Sequence, residues 1–301
     1  MEKLVSNHEE RRHVSSTLTE RNLRRARARR RAAAAVLAPM LLTLTGCSKD
    51  TVDSLKRLGL PEAASDRATY VHDLWIGSWI AAGIVGVAVW ALILWVAFRY
   101  RRRADDELPD QVRYNLPIEV LYTIAPLIVV AVLFFFTIET QNKVLEPVAN
   151  PDHTVLVVGQ QWSWTFSYLE EDAVDGKSVY DVGTPAQLPE LWLVKDQTVT
   201  FELRSPDVIH SFWVPSFAMK LDVVPGRDNA FSVTPQRAGE FAGRCAELCG
   251  WQHSRMLFTL KVVDQAAFDA HLQDLQEAGQ VGAPRGGENA YTVTGLEDSE
   301  P

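Results

Sequence analysis

The sequence predicts a two-helix transmembrane hairpin followed by an all-β Greek-key sandwich, and three observations carry that reading. Residues 76–98 and 116–138 are apolar, and each is long enough to cross a hydrocarbon core at roughly 1.5 Å rise per residue. Downstream, short β-branched or aromatic runs alternate with Gly, Pro, Asp and Asn, the pattern of strands and turns. Between the last two runs lies Arg244-Cys245-Ala246-Glu247-Leu248-Cys249-Gly250-Trp251-Gln252-His253-Ser254-Arg255-Met256, which crowds two thiols, an imidazole and a thioether into one loop.

In chain order, residues 1–31 are polar and arginine-rich, with Arg24, Arg25, Arg27, Arg29, Arg30 and Arg31 close together. A short apolar run over 32–45 ends at Leu44-Thr45-Gly46-Cys47. A positive leader, an apolar stretch too short to span a bilayer and small residues before a cleavage point describe a secretory signal over 1–46. Its end resembles a bacterial lipobox, which implies that Cys47 is lipidated and becomes the first residue of the mature chain. The leader is long for such a signal, so a start codon downstream of Met1 is expected. A basic nucleic-acid arm beside a buried cysteine is the weaker reading, and no nucleic-acid partner is expected. The chain has three cysteines, too few for a disulfide framework.

Residues 47–75 form an extracytoplasmic N-terminal segment in this reading. The first span, 76–98, holds no charge, and the second, 116–138, is interrupted only by Glu119 and two prolines. Between them, in the loop 99–115, lies Arg99-Tyr100-Arg101-Arg102-Arg103, and basic residues flanking a span stay cytoplasmic. The mature N-terminus and everything beyond Glu139 therefore face outward, as the lipobox independently requires. This places a multi-pass chain in a bacterial plasma membrane with its main domain on the extracytoplasmic face. Glu119 is the only ionisable residue inside either span. Intramembrane carboxylates are candidates for proton pathways, whereas the competing reading is a helix-start acid favoured by the macrodipole after Asn115 and Pro117.

The outer domain, 139–263, reads as β, with runs at 153–158, 162–169, 191–194, 198–203, 230–233, 240–244 and 257–263. Seven or so such strands suggest a Greek-key sandwich. Within Gln160-Gln161-Trp162-Ser163-Trp164, two strand tryptophans are more often core or interface anchors than anything else. Residues 170–190 read as a long loop. Asp264 is the expected N-cap of a helix over 264–278 with Phe268, His271, Leu272 and Leu275 on one face. Residues 279–301, rich in Gly, Glu and Asp, read as disordered.

Ligand type decides which metal the loop would hold. Thiolate and thioether are soft and, with imidazole, favour copper over hard cations. Cys249, His253 and Met256 alone would make a mononuclear blue-copper loop, which takes one Cys, two His and a weak Met. Cys245 changes that reading, because two cysteines four apart on a turn can each bridge two metals, and a pair of coppers spreads a one-electron change. The missing second imidazole is expected from His210, in Asp207-Val208-Ile209-His210-Ser211-Phe212-Trp213-Val214-Pro215, on a strand end folding back beside the loop. A lone His on such a strand is more often a satisfied core histidine, and the Cys/His/Met loop reverses that preference.

These two segments resemble the dinuclear copper (Cu-A) site of cytochrome c oxidase subunit II, with its pattern Cys-x-Glu-x-Cys-x-x-x-His-x-x-Met and an upstream His-Ser-Phe/Trp-x-Val-Pro. The resemblance runs from about Tyr70 to Val263 and implies a cupredoxin-like sandwich with the metal loop between its last two strands. It implies that Cys245 and Cys249 bridge two coppers, that His210 and His253 each ligate one, and that Met256 gives a thioether and Glu247 its backbone carbonyl. The Glu247 carboxylate would reach a magnesium shared with subunit I. Trp162 would be the surface tryptophan through which electrons enter, and Glu119, in Ile118-Glu119-Val120-Leu121-Tyr122-Thr123-Ile124-Ala125-Pro126, a point where protons enter. The implied activity is that of an aa3-type oxidase: electrons pass from a cytochrome c through the dicopper centre to haem in subunit I, where oxygen is reduced and protons are pumped. Implied partners are subunits I and III, membrane lipid, and a cytochrome c or a membrane-bound cytochrome c of a bc-type complex.

The segment 170–190 looks longer than in mitochondrial relatives, so a dedicated, membrane-bound cytochrome could replace a freely diffusing donor. Residues 139–301 carry 11 basic and 24 acidic residues, which suits either a docking surface for a basic donor or plain solubility. No Cys-x-x-Cys-His occurs, so no c-type haem is expected in the chain itself. The family's quinol-oxidising branch lacks the copper ligands that are present here. The alternatives are a nitrous-oxide-reductase-like Cu-A module, which would need a large additional domain, and a membrane-tethered copper carrier or Cys2His2 zinc module. Zinc would not require Met256.

Overall fold

A computed structural model describes residues 49–101 and 111–286. The proposed signal over 1–46, Cys47, most of the inter-helix loop and the end of the tail lie outside the described residues. The chain divides into two units, 1–59 and 60–301. The first contributes one described helix, α1 (Lys49–Lys56).

In the second unit, α2 (Asp66–Arg99) and α3 (Leu116–Val144) are each long and apolar enough to cross a membrane, and their apolar side chains point outward. The helix α2 begins well before the apolar stretch at 76, because Ser65 caps it: its side chain accepts from Ala68 N, with Asp66 in the first turn. At the start of α3, Asn115 caps in the same way, accepting from Ile118 N, and Pro117 fills a position that needs no N–H. The apolar stretches thus mark composition, while caps set the helix ends.

Ten strands follow among the described residues: β1 (His153–Gln160), β2 (Ser163–Glu171), β3 (Lys177–Val182), β4 (Glu190–Val194), β5 (Val199–Arg204), β6 (His210–Val214), β7 (Met219–Val223), β8 (Asn229–Val233), β9 (Gly239–Cys245) and β10 (Leu257–Val263). They form two five-stranded sheets, β3-β2-β1-β5-β8 and β4-β10-β9-β6-β7, the two layers of a cupredoxin-like sandwich. Trp164, Phe166, Phe201, Phe212 and Phe258 fill the space between them, all fully buried. Phe212 and Phe258 stack with centroids 5.1 Å apart, and Trp164 meets both edge-on at 5.8 Å. Such aromatic pairs add about 0.5–1.5 kcal/mol each beyond the area they bury.

Two strands differ from the sequence reading. Residues 170–190, read as a loop, hold a 3-10 turn at Asp172–Val174 and the strand β3. That strand pairs with β2 across a bulge between Tyr168 and Glu171, so its partner lies in tertiary contact and its polar sequence gives little period-2 signal. The strand β7 follows a 3-10 turn at Pro215–Phe217 and pairs back on β6. The helix α4 (Gln265–Glu277) has Asp264 as N-cap and buries Phe268, Leu272 and Leu275. Beyond it, the expectation of disorder from 279 is corrected for the first residues. Val281 bridges Val179, and Gly282 N donates to Ser178 O at 2.8 Å. The reason is that β3 is an edge strand with free backbone groups, which the returning chain satisfies.

The hairpin is stitched to the sandwich just before α2. Asp66 N donates to Thr234 O at 3.0 Å, Thr234 N returns a bond to Asp66 Oδ1 at 2.8 Å, and Ala64 N donates to Ser216 O at 2.8 Å. The buried Arg67 guanidinium donates to the Lys143 and Glu146 carbonyls, closing the end of α3. The two apolar helices and the sandwich are therefore one folded unit.

Burial pushes the Asp181 carboxyl up to about 6, against bonds from the backbone of Glu190 and Val182 and the charge of Lys261, with the Glu190 charge adding to the rise. A folded pKa above the unfolded 3.8 means that the folded state binds more protons in this window, so stability falls as pH rises through it. Asp181→Asn is expected to match the unsubstituted chain near the low end of that window and to be more stable by up to about 3 kcal/mol at neutral pH. Urea unfolding in detergent, followed by tryptophan fluorescence across that pH range, measures the difference.

Candidate metal centre

Strand pairing builds the site before any side chain is considered. The strand β9 ends at Cys245 opposite Phe212 of β6, and Ala246 N donates to Ser211 O at 2.9 Å. Cys245 N donates to Met256 O at 3.0 Å where β10 begins. These bonds close the neck of the 246–256 loop and set its two ends beside the start of β6, which is His210. Within the loop, His253 N donates to Gly250 O at 3.2 Å and a 3-10 turn covers His253–Arg255. Gly250 has φ +122°, a backbone that L side chains rarely adopt, and a Cβ there would come within 3.1 Å of Trp162 Nε1. Gly159 makes room on the other side, since a Cβ there would lie 3.0 Å from the Trp164 ring and 3.2 Å from His210.

All six sequence-predicted donors converge. Cys245 Sγ lies 3.8 Å from Cys249 Sγ, 3.9 Å from His210 Nδ1 and 3.2 Å from the Glu247 carbonyl oxygen. Cys249 Sγ lies 3.6 Å from His253 Nδ1 and 3.7 Å from Met256 Sδ. The ligating atoms of His210, Cys245 and Cys249 all fall within 4.8 Å of one another. His210, Cys245, Cys249 and Met256 are buried, His253 is half-buried and the Glu247 side chain is exposed.

The electrostatics fit a soft cation. Burial opposes a thiolate at Cys245, but hydrogen bonding from His210 and backbone contacts at Ser211 and Glu247 bring its pKa down to about 7. Burial and the neighbouring Cys245 charge push Cys249 up to about 12. Two thiolates this close repel each other, and a cation between them removes the conflict. The donor set of two sulfurs, two imidazoles and a thioether selects copper-type ions over oxygen-seeking ones.

Around the donors lies a shell that the sequence reading did not single out. His210 Nε2 donates to Asp207 Oδ1 at 2.9 Å, which leaves Nδ1 toward Cys245. Asp207 also accepts from Gln161 N at 2.7 Å, Val208 N at 2.6 Å and Ser205 Oγ at 3.1 Å. Burial works against charge on both partners, yet the pairing holds His210 above and Asp207 below their ordinary pKa ranges. The Asp-x-x-His spacing was the available signal. Gln161 Nε2 and Trp162 Nε1 both donate to the Cys249 carbonyl, at 2.6 Å and 3.2 Å. Trp162 is half-buried at this rim, whereas Trp164 is core, its Nε1 donating to Met256 O at 3.4 Å. Glu119 lies elsewhere, in the first turn of α3, where its Oε1 accepts from Asn115 N at 2.9 Å.

A family profile described as "Cytochrome C oxidase subunit II, periplasmic domain" matches residues 153–263. A protein of Streptomyces avermitilis, named probable cytochrome c oxidase subunit 2, is 46% identical over 304 residues, 89% of this chain and 94% of that protein. The chain belongs to the cytochrome c oxidase subunit II family. The cytochrome c oxidase subunit 2 of Mycobacterium tuberculosis is similar at 33% identity over 298 residues, 81% of each chain. Among solved structures, the periplasmic domain of subunit II of cytochrome oxidase from Bradyrhizobium japonicum is 27% identical, with TM-score 0.39, covering 44% of this chain and 99% of that one. As a subunit II, this chain is a component of a haem-copper oxidase, an oxidoreductase.

In this subunit II, Asp207 fixes the tautomer and orientation of the deepest imidazole. Asp207→Ala is expected to weaken copper binding by about 10–100-fold, the usual cost of losing such a partner, with Asp207→Asn falling between. Competition titration of the purified chain against a copper chelator gives the number.

Proposed function

We propose that this chain is subunit II of an aa3-type cytochrome c oxidase, and that it carries a Cu-A centre on the extracytoplasmic face of a bacterial plasma membrane. Cys245 and Cys249 would hold the copper pair between them, with His210, His253, Met256 and the Glu247 carbonyl as the remaining ligands. When bound, the copper pair supplies one-electron acceptance and release between a cytochrome c and haem in subunit I. The observation that carries this reading is the convergence of two sulfurs 3.8 Å apart with both imidazoles and the thioether within 3.9 Å of one or the other.

The residues around the donors support the same assignment. Trp162 takes electrons from the donor: its indole is half-exposed, and its N–H reaches the carbonyl of a copper ligand by one hydrogen bond. Gln161 holds that carbonyl from a second direction. Glu247 turns its carbonyl toward Cys245 Sγ and leaves its carboxylate exposed, free to reach a magnesium shared with subunit I. Buried His210 and Met256 keep water from the inner side, which limits the reorganisation that charge transfer requires.

Orientation follows from the basic cluster at Arg99 and Arg101 after α2, which stays cytoplasmic. Both helices then cross the membrane, with Glu119 at the cytoplasmic mouth of α3 as a point of proton uptake. Cys47 is the lipid attachment site. Partners are subunits I and III, and a cytochrome c or a membrane-bound cytochrome c of a bc-type complex.

Electron paramagnetic resonance of the copper-loaded chain tests the centre. A purple protein with hyperfine splitting over seven lines is expected; a blue mononuclear spectrum or a colourless protein would count against it. Cys249→Ser should abolish the seven-line signal, and survival of that signal would remove Cys249 as a bridge. Trp162→Phe should leave the spectrum intact and slow reduction by the donor, and an unchanged rate would take Trp162 off the route.

A further inference from the structure

The chain beyond α4 runs from one edge of a sheet to the surroundings of the metal donors. Gly279 has φ +79° and its N–H donates to Gln276 O at 3.0 Å, which turns the chain out of the helix. Gln280 O then accepts from Tyr180 N at 3.0 Å, Val281 pairs with Val179, and Gly282 N donates to Ser178 O at 2.8 Å, so 280–282 lie along β3. Four residues further on, Gly286 lies against the far end of β1. A Cβ there would come within 2.7 Å of Pro206 Cγ, 2.8 Å of Gln160 Oε1 and 3.2 Å of Val158 Cγ1. With φ +71° as well, this close approach needs glycine.

The returning chain meets a face that the core does not use. Side chains alternate along a strand, and Val155 and Val157 of β1 point into the sandwich core. Leu156 and Val158 therefore point to the opposite face, yet they are 6% and 2% exposed. Their cross-strand partners on β2, Ser167 and Thr165, are buried too. Arg285 lines one cavity with Leu156. The Gln160 side-chain oxygen is buried with no hydrogen-bond partner among the described residues, so contact rather than bonding places it.

Both residues that Gly286 touches lead to Asp207. Pro206 precedes it in the chain, and a proline ring fixes its own φ and yields little. Gln160 precedes Gln161, whose N–H donates to the Asp207 carboxylate at 2.7 Å. That carboxylate in turn accepts from His210 Nε2 at 2.9 Å. We propose that residues 283–286 are a brace: held at one end by β3, they press on Pro206 and Gln160 and so position Asp207, and through it the His210 ring. The inference rests on the Cu-A reading and adds positioning residues to that site from outside the metal loop. No bond forms or breaks in this role.

The test compares the full chain, purified in detergent, with a chain ending at Gly282, a chain ending at Gly286 and the full-length Gly286→Ala. Ending at Gly282 keeps the pairing with β3. Copper itself is the probe, its affinity read by chelator competition and its hyperfine pattern by electron paramagnetic resonance. The chain ending at Gly282 should bind copper about tenfold more weakly, the low end of what losing an outer partner of a ligand costs, and its hyperfine spacing should change as the His210 ring is released. Gly286→Ala should move both in the same direction, and the chain ending at Gly286 should match the full chain. In an Asp207→Ala background, ending the chain at Gly282 should cost little further affinity, because a brace acting through Asp207 has nothing left to position, whereas an independent loss of stability would add. Unchanged affinity and spectrum in the chain ending at Gly282, or in Gly286→Ala where that chain does not fold, would overturn the brace. So would the full loss in the chain ending at Gly286, or an equal further loss in the Asp207→Ala background. A wild-type chain that binds copper without the seven-line signal would overturn the Cu-A reading and leave the brace to be decided by the affinities; one that binds no copper would overturn both.

Discussion

The pairing of β6 with β9 is the constraint on which the rest of this molecule depends. It sets Cys245 opposite Phe212, and the bond from Ala246 N to Ser211 O extends the ladder one step into the loop. With Cys245 N also held by Met256 O, the loop is closed at its neck by backbone alone. A one-residue slip in such a ladder turns every side chain to the opposite face. Here it would send Cys245 outward and carry Phe212 out of the aromatic core. The metal donors and the core are therefore fixed by the same register, and neither can be altered without the other.

This arrangement accounts for how a loop rich in polar donors tolerates burial. Unpaired polar groups in an apolar interior cost about 1–3 kcal/mol each, and the site contains two imidazoles and two thiols. His210 is relieved by Asp207, whose carboxylate is itself satisfied by Gln161 N, Val208 N and Ser205 Oγ. Because Gln161 and Trp162 form the β1–β2 turn, Asp207 links that turn to His210, a fully buried donor. The thiols are the part that protein groups leave unresolved: Cys245 is eased toward thiolate while Cys249 is pushed away from it. A cation held between the two sulfurs would resolve that asymmetry.

The joint at Ser65–Arg67 has a comparable role for the whole chain. It caps α2, bonds to the strand end at Thr234 and ties off the carbonyls at the end of α3. A sandwich held this way keeps a fixed height and orientation over the helices. A rigid joint of this kind fixes the distance between the donor cluster and the two helices.

Much of this was legible in the chain itself. Residue types and spacing within 245–256 gave the donor set, because a loop that short forces its donors together whatever the rest of the fold does. The apolar lengths gave two helices long enough to cross a membrane, and Asp264 gave the start of the last helix, since caps and composition act locally. What the sequence could not supply was anything that needed a partner distant in the chain. The strands β3 and β7 exist only through pairing, and the residues after 279 are ordered only because an edge strand lies within reach. Asp207 and Gln161 look like ordinary polar loop residues until β1, β2 and β6 bring them to the loop that carries the cysteines, and Trp162 and Trp164 are indistinguishable until the sheet puts one at the rim and one in the core. Local chemistry is written in consecutive residues. Which residues surround that chemistry is decided by strand register, a property of contacts between segments that no single segment contains.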